Sequence, residues 1–301
     1  MKIGIFGTTG FIGRSLLEHF LSRKFDIVSL SRHRPDIKST KFTHSSVSFE
    51  EVTSKNRLGY DTLILCVSST NPNTPGNNLY NEHSYNISPY IKLLNQLKNT
   101  NIKHLIYLSS GGTVYGNQNI AVIDESCETL PSTPYGFGKL CIEEAIRHLW
   151  SGECRHYTIL RPSNPVGKYQ LKSIGSNGLV TTTYERLQKN ELINIFGNGE
   201  TVRDYLHISD FCSLIEKIVL STATENRILN VSSAKGYSIN EVVDHMASFL
   251  GKEAKKQYLP HLQPQIHRNV LCNKLTRQLF DWSPITDIKE IISLLHEEII
   301  D

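Results

Sequence analysis

The stretch PYGFGK sets Tyr135 and Lys139 four residues apart, which puts both on one face wherever the segment is helical. A free phenol with a pKa near ~10 is a poor base at neutral pH, but a neighbouring ammonium stabilises the phenolate and lowers that value. The spacing therefore predicts a tyrosine that can take and return a proton. An ordinary surface Tyr–Lys pair has the same spacing, so the chemistry needs support from elsewhere in the chain.

GTTGFIG supplies it. Gly7, Gly10 and Gly13 lie between the apolar run MKIGIF and the amphipathic run RSLLEHFLSRKF, where a buried strand must turn into a helix. Helix N-termini present free N–H groups and a positive dipole end to a pyrophosphate, and side chains would block its approach. Gly7 is expected to make the turn, Gly10 to admit the phosphates and Gly13 to let the helix pack closely. Thr9, Phe11 and Ile12 belong to the same candidate dinucleotide loop. The next strand, DIVSL, ends in SRHR, where an NAD site usually carries an acid for the ribose hydroxyls. Ser31, Arg32 and Arg34 stand there instead, and an arginine can pair with the extra phosphate of NADP, so NADP is favoured over NAD.

The elements that must position these residues follow from the hydrophobic pattern. KIGIF, DIVSL, DTLILCV, KHLIYLSS and YTILRPS alternate with helical or loop segments, the pattern of βαβ units around a buried parallel sheet. Ile12, Leu16, Leu17, Phe20 and Leu21 form one stripe of the first helix. After RPSNPVG comes a polar stretch, KYQLKSIGSNG, then a helical segment from near Leu179 and a further strand from Ile228 to Ser233. Ser238 and Glu241 have capping-box spacing before INEVVDHMASFL. The expected fold is α/β, a Rossmann-type doubly wound parallel sheet with a smaller, mostly helical C-terminal lobe. Residues 1–168 with 203–233 are assigned to the nucleotide-binding domain, and 169–202 with 234–301 to the lobe.

Composition excludes several classes. A chain of 301 residues with 39% hydrophobic content can bury a full core, and a net charge of +3 gives no strong pull toward nucleic acid or membrane. No bilayer-length apolar run and no signal peptide are evident, which predicts a cytoplasmic protein. The six cysteines are dispersed, with no CxxC, and no metal site is expected.

GTTGFIG, SSGGTVYG, YGFGK, RPSNPVG and FGNGETVRDYLHISD occur in order, and together they resemble the extended short-chain dehydrogenase/reductase family, in its nucleotide-sugar epimerase/dehydratase branch. The resemblance implies a Rossmann domain holding NAD(P) and a lobe closing over a nucleoside-diphosphate sugar. It makes Tyr135 and Lys139 catalytic, with Lys139 also on the cofactor ribose. The family's third catalytic position, a Ser or Thr, falls on Gly111, a departure that leaves Thr113 or Ser110 to supply the hydroxyl, with Thr113 favoured. Asn164, Asn177, Leu179, Arg203 and Arg268 match positions that hold the substrate diphosphate, and Ile195 and Phe196 those beside the base. Arg203 could equally form an ion pair with Asp204, and Asn164 could be a turn residue.

GGTVYG carries no acidic residue of the kind dehydrating or decarboxylating relatives use, which leaves epimerisation or carbonyl reduction. The expected activity is 4-epimerisation of a UDP-hexose through a transient 4-keto sugar. The alternatives are an NADPH-dependent NDP-4-keto-6-deoxyhexose reductase and a non-catalytic nucleotide sensor. The family further implies a homodimer and a part in polysaccharide synthesis.

Overall fold

A computed structural model describes residues 1–39, 41–48, 59–150, 152, 155–171, 178–260 and 266–300. The chain opens with β1 (Lys2–Phe6), α1 (Phe11–Ser22), β2 (Asp26–Ser31), β3 (Thr43–Ser46) and β4 (Thr62–Leu65). A short α2 (Leu79–Glu82) passes through a π-helical turn (His83–Ile87) into α3 (Ser88–Leu97). Then follow β5 (His104–Leu108), the single turn α4 (Gly111–Val114), α5 (Pro134–Leu149), β6 (His156–Pro162) and β7 (Asn164–Val166). The second half holds α6 (Leu179–Gln188), β8 (Ile193–Phe196), β9 (Val202–His207), α7 (Ile208–Leu220), β10 (Arg227–Val231) and β11 (Gly236–Ser238). It ends with α8 (Ile239–Leu250), β12 (Lys256–Leu259), β13 (Arg268–Asn269), α9 (Lys274–Phe280) and α10 (Ile288–Ile300).

Seven strands form one parallel sheet in the order β10-β6-β5-β4-β1-β2-β3. The order reverses between β1 and β4, which makes the carboxyl ends of these two strands the topological switch point at which α/β sheets bind ligands. Both faces are covered, as all-parallel strands require. On one, Leu16, Leu17 and Phe20 of α1 pack with Phe211, Leu214, Ile215 and Ile218 of α7; on the other, Leu93, Leu94 and Leu97 of α3 pack with Ile142 and Ile146 of α5.

A third core joins α6, α8 and α10 through Val180, Tyr184, Val243, Met246, Ile291 and Leu295. The capping box of α8 is formed: Glu241 N donates to Ser238 Oγ at 3.1 Å, and Ser238 N to the Glu241 carboxylate at 2.7 Å. The C-terminal region also contains strands. β9 pairs with β11, β13 and β7, and β8 pairs with β12. Segment 203–207 thus lies in this second sheet, whereas α7 and β10 return to the first.

Candidate active site

Gly7 has φ +101°, a conformation that favours glycine, and its N–H donates to the Leu30 carbonyl at 2.8 Å. Gly10 precedes α1 in an extended conformation, and no side chain caps the helix, so its first-turn N–H groups remain open to an anion. A Cβ on Gly10 would meet nothing nearer than the Gly7 carbonyl oxygen at 3.5 Å, whereas one on Gly13 would stand 2.2 Å from that oxygen. Gly13 is required by close packing on the loop itself, rather than on the sheet. Exposed Thr9 and Gly10, with half-buried Phe11 and Ile12, form a cradle that fits a pyrophosphate.

Thr8, which the sequence reading omitted, is the bracket of this loop: its fully buried Oγ1 lies 2.7 Å from Ser29 Oγ and 3.0 Å from Ser31 Oγ. Its signal was a threonine inside the glycine run. Ser31 is buried and donates to the His33 carbonyl, so its hydroxyl is already engaged. Arg32 is exposed at the strand tip, and the Arg34 guanidinium lies over the Phe42 ring at 4.6 Å.

Thr133 caps α5 by accepting from Gly136 N at 3.1 Å, and Pro134 fits the first turn because no helical N–H is lost there. This fixes Tyr135 at the helix start. Lys139, one turn later, donates to the Leu108 carbonyl at 2.9 Å, tying α5 to the end of β5. Its Nζ lies 5.5 Å from the Tyr135 ring and 5.1 Å from the Tyr107 ring. Burial lowers the Lys139 ammonium to about 8, partly opposed by Glu82, Cys66 and Glu143. Burial, with Glu82, pushes the Tyr135 phenol above its ordinary value. The expected lowering of the Tyr135 phenol is therefore corrected: burial and the Glu82 carboxylate both raise it.

Glu143, one further turn along α5 and legible as the next residue at that spacing, is fully buried against Arg161, with Arg161 Nη2 2.6 Å from its carboxylate. Ser109 also donates to this carboxylate. The pair anchors α5 to β5 and β6.

Gly111 has no room for a hydroxyl-bearing side chain: a Cβ would lie 2.4 Å from Leu271 Cδ1 and 2.8 Å from the Arg161 carbonyl oxygen. Ser110 is half-buried, and Thr113 lies on α4 with its carbonyl 2.7 Å from where a Gly136 Cβ would stand. The α4 turn thus packs on the helix start that carries Tyr135.

Arg203 donates to the Val202 carbonyl at 2.8 Å and the Ile266 carbonyl at 2.7 Å. Asp204 instead accepts from Leu271 N at 2.7 Å, and Asn164 donates to the Asp204 carbonyl at 2.7 Å, tying β7 to β9. Arg268 is exposed, its Nε bonded to the Ala121 carbonyl at 2.8 Å. Leu179 begins α6, and Asn177 lies outside the described residues. Of the two residues expected beside a base, Phe196 is 38% exposed, but Ile195 is buried in the lobe core because alternate residues of β8 face opposite sides. Among the described residues no group of three His, Cys, Asp or Glu side chains could hold a metal ion, and no helix is long and apolar enough to cross a membrane.

Burial raises the Asp204 carboxyl to about 7. A carboxyl raised on folding resists ionisation, so its protonated form favours the fold below its unfolded pKa, and that contribution is lost as pH rises through about 7. Asp204→Asn should flatten the fall in thermal stability between about pH 4 and 7, by up to about 4 kcal/mol. Melting curves across that range check it; an unchanged slope would contradict it.

Residues 3–232 match the NAD dependent epimerase/dehydratase family. A protein of Methanocaldococcus jannaschii, provisionally assigned as a UDP-glucose 4-epimerase, is 26% identical over 94% of this chain and 93% of its own length. The dTDP-4-dehydro-6-deoxyglucose reductase of Escherichia coli is 24% identical over 98% of this chain and 96% of its own. The crystal structure of a UDP-glucose 4-epimerase with UDP-glucose, from Thermotoga maritima, superposes with a TM-score of 0.89 at 21% identity, covering 100% of this chain and 99% of that one.

Proposed function

Because this chain belongs to the NAD dependent epimerase/dehydratase family, we propose that it 4-epimerises a UDP-hexose through a transient 4-keto sugar. The observation that carries this reading is the placing of Lys139 Nζ 5.5 Å from the Tyr135 ring, on the helix start packed against the Thr113 turn. Tyr135 Oη takes the proton of the sugar C4 hydroxyl and later returns it. Lys139 holds the ribose hydroxyls and, as an ammonium at neutral pH, favours the phenolate that burial opposes. Thr113, or Ser110, hydrogen-bonds the reacting hydroxyl.

The glycine loop, with Thr9, Phe11, Ile12 and Gly13, holds the nicotinamide dinucleotide, which supplies the site that accepts and returns the hydride. Asn164, Asn177, Leu179, Arg203 and Arg268 grip the substrate diphosphate, and Phe196 lies beside the base. A firmly held nucleotide with a loosely held sugar lets the keto intermediate present its other face. The domain division at 168 and 233 belongs to this proposal, with the return to the nucleotide-binding domain moved from 203 to 208 because Val202–His207 pairs in the second sheet. So does a homodimer through α3 and α5, supported by exposed Ile91 and Phe137. A cytoplasmic location belongs to it as well.

A second reading, an NADPH-consuming 4-keto-sugar reductase, is favoured by exposed Arg32 where an acid would hold the NAD ribose. One experiment separates the two. Purified without added cofactor, an epimerase retains a nicotinamide nucleotide, identified by mass spectrometry after denaturation, and interconverts UDP-glucose and UDP-galactose unaided. An empty protein that leaves both sugars unchanged and oxidises NADPH with a 4-keto-6-deoxy sugar overturns the epimerase. Retained cofactor of the phosphorylated form supports the NADP preference.

A further inference from the structure

Glu82 ends α2 and is 1% exposed. Its Oε2 accepts from Thr70 Oγ1 at 2.7 Å and from Asn77 Nδ2 at 2.9 Å, and its Oε1 accepts from Asn86 Nδ2 at 2.9 Å. Asn86 is itself braced: its Nδ2 lies 2.9 Å from Thr70 Oγ1, and its Oδ1 accepts from Ser69 N at 2.8 Å. The π-helical turn after Glu82 carries Asn86 back onto the carboxylate. On its remaining side stands Gly138, where a Cβ would lie 2.4 Å from Glu82 Cγ and 2.5 Å from Oε1. Only a glycine lets this carboxylate press on α5 between Tyr135 and Lys139.

A buried carboxylate held by neutral donors keeps its field, since little water screens it. We propose that Glu82 is a positioning residue whose carboxylate sets the pH range over which the Tyr135–Lys139 pair can exchange a proton. The proposal rests on the catalytic reading of that pair. A negative charge favours the Lys139 ammonium and opposes the Tyr135 phenolate, so it raises both proton affinities together, and the direction of its influence on each group is the same. The other titratable groups facing the pair are Glu143 and Cys66 toward Lys139, and Tyr90 and Tyr107 beside Tyr135. Interacting groups titrate as a unit, so removing one nearby negative charge lowers both apparent values whichever group loses its proton first.

Glu82→Gln keeps the shape and removes the charge. Both limbs of the kcat/KM profile should move to lower pH by about one unit. The Lys139 titration midpoint, followed by NMR of carbon-13 lysine protein and assigned with Lys139→Met, should fall likewise. A merely structural role lowers the height of the profile and leaves its limbs in place, and that result would overturn the proposal. If the unaltered protein shows no epimerisation, the proposed function fails, and the Lys139 midpoint alone decides this inference: a fall supports it, an unmoved value overturns it. Glu82→Asp withdraws the charge by one methylene and should shift both readouts the same way by a smaller step. Should the glutamine variant fail to fold, unmoved values in the aspartate variant overturn the proposal.

Discussion

Tyr135→Phe is expected to lower turnover by about 10²–10⁴-fold, the usual worth of a positioned proton-transfer group. The ring keeps its place at the helix start, where Thr133 and Pro134 hold the backbone and Lys139 stays bonded to Leu108. Dinucleotide binding and melting temperature should therefore stay near their original values. Single-turnover reduction of the bound cofactor is the most direct check, since it isolates the step in which the hydroxyl proton leaves. A loss of less than about tenfold would place that proton on Ser110 or Thr113. A full ligand response without turnover even in the unaltered protein would instead favour the sensor.

Gly13→Ala is expected to lower dinucleotide affinity about 100-fold, from about 3 kcal/mol of overpacking. A Cβ there stands 2.2 Å from Gly7 O, 2.7 Å from Gly7 C and 3.1 Å from Thr8 Cα, all backbone atoms of the phosphate loop. No side chain can rotate to relieve that clash. The loop must move, and the contacts of Thr8 with Ser29 and Ser31 move with it. Gly10→Ala is the contrasting control: its nearest neighbour lies at 3.5 Å, so the unliganded fold should tolerate it while the pyrophosphate loses its approach. Calorimetric titration with NAD and melting curves without it separate the two variants. Normal binding by Gly13→Ala would remove the loop from the cofactor reading.

The sequence revealed most clearly what repeats or what local chemistry forces. KIGIF, KHLIYLSS and YTILRPS are apolar because both faces of their strands are buried, and they became β1, β5 and β6. Ser238 and Glu241 announced a helix start through contacts only three residues apart. β3 escaped notice because THSS sits at the sheet edge and needs little apolar surface, and β8 and β12 because their pairing partners are about sixty residues away. The site divides in the same way. Tyr135 and Lys139 declare their geometry through one helical turn, but the direction of the tyrosine's titration depends on burial and on Glu82, which only the packing of α2 against α5 supplies. Arg203 beside Asp204 invited an ion pair, yet neighbouring residues of a strand point to opposite faces, and each found a backbone partner instead.

The return of α7 and β10 to the first sheet governs how the chain can be assembled during synthesis. The face built by Ile3, Ile5, Leu16, Leu17 and Phe20 is covered by Phe211, Leu214, Ile215 and Ile218, with Trp282 joining later still, its indole donating to the Asp210 carbonyl at 3.1 Å. A nascent chain stopped after β6 has its glycine loop, Tyr135 and Lys139, but leaves that apolar face bare. Such long-range closure is slow, and at roughly 5–20 residues per second the ribosome takes several seconds to deliver the cover. The nucleotide loop is thus made first and secured last, and the exposed face is where a chaperone would find this protein.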